Sequence, residues 1–137
     1  MTLALDTSAL LALAVDGPER SVVLTAMEAD PIWCASALAL TEALPAIDRL
    51  TGETVLRTDL EDAIRLSWDH VHVVPIDQRC LDRAANLSRL QPVRLTDAIH
   101  FAAAERLPRP VTFVTFDPVQ IGVALGLGFE VRSTEST

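Results

Sequence analysis

Four acids in this 137-residue chain stand where a carboxylate costs free energy unless something caps with it, pairs with it or binds it. Asp6 interrupts the apolar run "LALDTSALLAL" (3–13), and Glu42 lies on the otherwise apolar helical face of "ALALTEALPAI" (37–47). Asp97 follows a loop in "QPVRLTDAIHFAAAERL" (91–107), and Asp117 closes "VTFVTFD" (111–117). Singly, Asp6, Asp97 and Asp117 read as helix N-caps worth about 1 kcal/mol each, and Glu42 as a helix acid paired with an arginine. Together they read differently. An acid on an apolar helix face has no cap to make, and clustered carboxylates repel unless cations neutralise them. All-oxygen donors without a cysteine or histidine set suit a hard divalent ion, Mg²⁺ or Mn²⁺.

Such a cluster needs elements that bring the four together. "TLAL" (2–5) reads as a strand buried on both faces, followed by helices over 8–15 and 18–29 that Gly17-Pro18 separates. "IWCAS" (32–36) is a second strand with Ser36 as a cap, and 37–50 a helix with a kink at Pro45. The spacing predicts an amphipathic helix over 54–69 with Val55, Leu56, Leu60, Ile64 and Trp68 inward. A third strand, "VHVVPI" (71–76), a helix over 78–90 and a helix capped at Thr96/Asp97 come next. "VTFVTF" (111–116) is the fourth strand, Asp117-Pro118 opens a helix that ends in "GVALGLG" (122–128), and "FEVRS" (129–133) is the last strand. Alternation of this kind predicts an α/β fold with a parallel, doubly wound sheet. Ligands of such sheets bind beyond the carboxyl ends of the strands where the strand order reverses. Asp6 and Asp117 each end a strand, so all four acids are expected at one rim.

Length and composition suit one domain over 1–133, with a polar tail in "STEST" at the end of the chain, 134–137 lying outside the domain. The formal charge of −8 argues against indiscriminate adhesion to nucleic acid or anionic membranes, although acids that hold a divalent ion reverse the local field. All eleven basic residues are arginine. Cys34 and Cys80 are isolated, which signals neither a disulfide framework nor a structural zinc site. The apolar N-terminus lacks a basic leader and is too short to span a bilayer, so a cytoplasmic protein is expected.

In order and spacing, "LALDTSALLAL", "SALALTEAL", "RLTDAIHFAAA" and "FVTFD" resemble the acidic motifs of PIN-domain ribonucleases, and the size is similar to that of VapC toxins of type II toxin–antitoxin pairs. The resemblance implies a PIN-like three-layer fold with a short, mainly parallel sheet between two helical layers. It also implies that Asp6, Glu42, Asp97 and Asp117 hold Mg²⁺ or Mn²⁺, with supporting hydroxyls at Ser8 and Thr115. The activity implied is endoribonuclease cleavage that leaves a 5′-phosphate and a 3′-hydroxyl. The partners implied are an RNA substrate, a VapB-type antitoxin and a second copy of the chain in a homodimer; no membrane is involved. In-line attack of water on a phosphodiester calls for a metal that lowers the pKa of that water toward about 7 and offsets charge on the phosphoryl oxygens. Asp6 and Asp97 are then the principal ligands, Glu42 completes the set directly or through water, and Asp117 orients a water or helps to hold a second metal. The alternative is a catalytically silent PIN-like module that binds RNA or protein.

His100, three residues past Asp97, has the spacing of a shared ligand face, but within "DAIHFAAA" it reads as a packed core histidine. His70 and His72 read as structural, and Arg79 and Arg94 as solvated cations near the rim. Two rivals fail on single positions. A haloacid-dehalogenase-like phosphatase needs an acid where Ser8 stands, and a response-regulator receiver needs a lysine, which this chain lacks.

Overall fold

Two strands, β1 (Thr2–Leu5) and β4 (Val111–Val114), are buried along their whole length, as the unbroken apolar runs "TLAL" and "VTFV" require. They pair in parallel, with Leu3 opposite Thr112 and Leu5 opposite Val114. β2 (Ile32–Ser36) joins the other side of β1, β3 (His72–Val74) lies outside β2, and β5 (Glu130–Arg132) lies outside β4. The resulting sheet is parallel throughout, in the order β3-β2-β1-β4-β5. This is a computed structural model and describes residues 1–134; the end of the expected polar tail, 135–137, lies outside the described residues.

Helices α1 (Thr7–Ala12) and α2 (Pro18–Ala29) link β1 to β2, and α3 (Leu38–Leu50) and α4 (Thr54–Trp68) link β2 to β3. The hairpin of α5 (Gln78–Leu90) and α6 (Leu95–Glu105) leads to β4, and α7 (Pro118–Gly126) leads to β5. Side chains alternate across a strand. Leu3 and Leu5 therefore enter one core, with Leu10, Val23, Ile47 and Ile64 of α1 to α4, while Ala4 enters the other, with residues of α5 to α7. In that second core the rings of Phe101, Phe113 and Phe129 pack with centroids 4.8 to 6.5 Å apart. The chain is thus an α/β sandwich of three layers. Its strand order reverses between β1 and β4, since β2 follows β1 to one side and β5 follows β4 to the other.

Several boundaries differ from the sequence expectation. α1 stops at Ala12, and residues 13–15 turn on tighter bonds such as Leu13 N–H to the Leu10 carbonyl, 3.3 Å. β4 stops at Val114, so Thr115 and Phe116 separate it from Asp117. β3 spans only His72–Val74 at the sheet's edge. α3 runs continuously through Pro45, whose missing N–H frees the carbonyl of Thr41 on an exposed side of the helix. Of the five residues expected inward on α4, only Ile64 is fully buried, and Leu60 and Trp68 pack at the core's margin. Val55 and Leu56 are exposed at the tip of the α3–α4 hairpin, beside an equally exposed Leu50. β5 ends at Arg132, one residue short of the expected strand, and Ser133, the last residue of the expected domain, is buried. Gly128 bears out the helix end in "GVALGLG", with φ of 89° just past α7, where a Cβ would lie 3.0 Å from Arg109.

Candidate active site

Asp6 leaves β1 in an extended conformation and caps α1: one carboxylate oxygen, Oδ1, accepts from Ala9 N–H at 2.9 Å and from the Ser8 hydroxyl at 2.7 Å. It is buried, which pushes its carboxyl above the ordinary aspartate range, while bonds from Thr115, Ser8 and Ala9 pull the other way. The cap expected of Asp6 is therefore real, yet it uses only part of a buried charge. Ser8 does a second job. Its oxygen accepts from the N–H of Phe116 at 3.1 Å, stapling the start of α1 to the segment that follows β4.

That segment carries Asp117. The Thr115 hydroxyl oxygen accepts from Asp117 N–H at 3.2 Å, and the Asp117 side chain caps α7 by accepting from Val119 N–H at 3.0 Å. Thr115 is fully buried and also lies 3.5 Å from the amide oxygen of buried Gln120. Asp6 and Asp117 thus flank the point where the strand order reverses, the position at which parallel sheets open a crevice.

The other two acids come from helix faces. Glu42, in the second turn of α3, accepts at Oε1 from the Thr7 hydroxyl at 2.7 Å and lies 2.6 Å from Nε2 of His100. The His100 bond holds its carboxyl below the ordinary glutamate range against partial burial, with help from Thr7. Asp97 is the third residue of α6, so the expected cap at Thr96/Asp97 is not made; Arg94 stands at the cap position without a side-chain capping bond. Instead Arg94 folds back and chelates Asp97, with Nε to Oδ2 at 3.1 Å and a terminal guanidinium nitrogen to Oδ1 at 3.4 Å. The Arg94 side chain is 76% exposed and that of Asp97 only 9%, so the arginine is a solvent-side cover on a buried carboxylate, not the free surface cation the sequence suggests.

All four acids line one cleft of about 240 Å³, together with Thr7, Ser8, Arg49, Arg94, His100 and Gln120. Its carboxylates are hard oxygen donors, and Mg²⁺ typically takes one or two of these and keeps waters in its other positions. The residues fit such an ion. They do not form a ready cage: among the described residues, no three side chains of His, Cys, Asp or Glu are gathered closely enough to hold a metal together.

His100 is buried, as expected, but the reading of it as core packing is incomplete, since both ring nitrogens are bonded. Nε2 faces Glu42, and Nδ1 lies 2.9 Å from the hydroxyl of Ser36, which caps nothing. The three-residue spacing from Asp97 was the available signal. His70 and His72 are exposed and lie away from the cleft, and Arg79 lines a separate hollow with Arg83 and Arg106.

Comparison with known proteins gives this chain a family. The PIN domain family model matches residues 3–124. The chain belongs to the PIN-domain family. This PIN domain is 35% identical over 104 residues to Ribonuclease VapC46 of Mycobacterium tuberculosis, covering 75% of this chain and 74% of that protein. Among solved structures it is similar to VapC20 of M. tuberculosis, a sarcin–ricin loop cleaving toxin, with a TM-score of 0.70 at 18% identity over 95% of this chain and 98% of the other. It is also similar to VapBC2 from Rickettsia felis, crystallised with a fragment of promoter DNA, with a TM-score of 0.69 at 12% identity over 96% and 98%. At those identities the likeness concerns the fold. Among the described residues no helix is long and apolar enough to cross a membrane.

Proposed function

We propose that this PIN domain is a VapC-type toxin that hydrolyses RNA internally in the presence of Mg²⁺ or Mn²⁺, with Asp6, Glu42, Asp97 and Asp117 as its working carboxylates. One observation carries the reading. Four acids that are 111 positions apart at their extremes, two of them buried, converge on a single cleft at the carboxyl edge of a parallel sheet. Capping accounts for one oxygen each of Asp6 and Asp117 and for nothing at Glu42 or Asp97.

Asp6 and Asp97 would be the principal ligands of the divalent ion, Glu42 would complete the set directly or through water, and Asp117 would orient a water or help to hold a second ion. Bound there, the ion supplies a water of lowered pKa and offsets charge on the phosphoryl oxygens. The chain's own part is orientation. Ser8 and the α1 backbone set the Asp6 carboxylate, and Arg94 holds both oxygens of Asp97 from the solvent side, each oxygen keeping a lone pair that could face an ion. Lining the cleft from its solvent side, the Arg94 guanidinium is suited by its fork of donors to an RNA phosphate. The VapB-containing relatives support a cognate antitoxin as the protein partner, encoded in a short adjoining reading frame.

The test is cleavage of cellular RNA by purified protein with Mg²⁺ or Mn²⁺, with and without chelator. Asp97→Asn is expected to lower the rate at least about 100-fold while the unfolding transition is retained. Equal cleavage by wild type and Asp97→Asn sinks the assignment of the site. No cleavage by clean wild type favours a silent module that binds without cutting.

A further inference from the structure

We infer that His100 is a positioning residue: through Nε2–H it holds one oxygen of Glu42, with Ser36 fixing the ring from behind, so that Glu42 offers the cleft its other oxygen alone. Its catalytic meaning rests on the ribonuclease reading above; the contact itself does not.

The geometry is specific about where the ring proton lies. An ionised carboxylate only accepts, so a nitrogen 2.6 Å from Glu42 Oε1 must donate, which puts a proton on Nε2. The Thr7 hydroxyl donates to the same Oε1 at 2.7 Å, so that oxygen has two donors from two different helices. Oε2 has no such partner among the described residues. On its far side the ring meets Ser36, a buried residue whose hydroxyl is 2.9 Å from Nδ1. His100 is 3% exposed, so water does not compete for either nitrogen.

The placement of the three residues gives the contact its purpose. Ser36 ends β2 and Glu42 lies in the second turn of α3, so they stand on either side of one strand-to-helix junction. His100 comes from α6, which packs in the opposite helical layer. It reaches around the end of the sheet and bridges the two sides of that junction. A glutamate side chain has three rotatable bonds and wanders when free. Here a rigid ring anchored at both ends removes that freedom at the rim where the other three acids gather. Groups that orient a ligand-bearing side chain in this way typically change activity 10- to 100-fold when removed.

Glutamine and asparagine divide the two contacts. The amide nitrogen of His100→Gln falls near the Nε2 position and can still donate to Glu42; that of His100→Asn falls near Nδ1 and reaches only Ser36. With wild-type RNA cleavage established, His100→Gln is expected to keep the rate within about threefold, and His100→Asn to lose about 10- to 100-fold in kcat with KM for RNA unchanged. Both should melt within a few degrees of each other. Independently of any activity, long-range ¹H–¹⁵N spectra of the metal-free protein should show His100 Nε2 protonated, with a proton shifted downfield that moves in Glu42→Gln. A bare Nε2 with the proton on Nδ1 overturns the inference. So does cleavage that is equal in the two variants, whether both are active or both are impaired. If wild type cleaves no RNA, the ribonuclease reading falls, and the spectra alone decide the contact.

Discussion

Helices α6 and α4 each carry seven apolar residues, among eleven and fifteen positions, yet eight consecutive residues of α6, Asp97 to Ala104, are buried, whereas α4 buries only Ile64. The difference lies in what each helix touches. α6 is walled in by α5, β2 and α3, and its small residues Ala98, Ala102, Ala103 and Ala104 let those elements come close. α4 leans on α3 and, more lightly, on α1, and keeps a wide solvent face, with Leu66 67% exposed. Site residues belong on a helix of the first kind. Asp97 and His100 cannot drift without disturbing a packed core, and precision at a catalytic cleft depends on side chains held by such packing.

The contrast can be broken by substitution. The largest effect is expected for Phe101→Ala, which removes a fully buried ring from the three-phenylalanine cluster; urea unfolding should show a loss of about 3 to 5 kcal/mol. A loss below about 1 kcal/mol would mean that α6 is not the packed frame described. Ile64→Ala removes the single full anchor of α4 and should cost about 2 to 4 kcal/mol in the same measurement. Leu66→Ser, on the open face of α4, should leave the midpoint within about 0.5 kcal/mol of wild type. If Leu66→Ser matched Ile64→Ala, the solvent face assigned to α4 would be wrong.

Much of this molecule was legible in its sequence, and the misses share a cause. Short apolar runs and 3.6-residue stripes marked every strand and helix, and the reversal rule for parallel sheets put Asp6 and Asp117 at one rim. Glu42 was legible because an acid on an apolar face has no local excuse. What local pattern does not carry is the identity of a distant partner. Ser36 looked like a cap because it precedes a helix, but its hydroxyl serves a ring 64 positions away. His100 looked like core because it lies among alanines, but it meets Glu42 across 58 positions. Asp97 looked like a cap because it opens a helix; Arg94, three residues earlier, takes it over. Periodicity likewise gave α4 an inward stripe without saying how much surface would be there to cover it, and Val55 at 68% exposure is the result.

The Ser8 staple has a consequence for the order in which this protein is made. β1 leaves the ribosome before β2 and β4, yet it lies between them, and one of its two edges stays open until residues 111–114 have been synthesised. Asp6 waits as well. The serine beside it finds its second partner only when Phe116 emerges, and Asp117 follows by one residue. A nascent or prematurely terminated chain therefore holds the first acid without the last, and the cleft closes around its four carboxylates only once Asp117 has been made. The four-carboxylate cleft is a property of the joined sheet, and no fragment that stops short of Asp117 can present it.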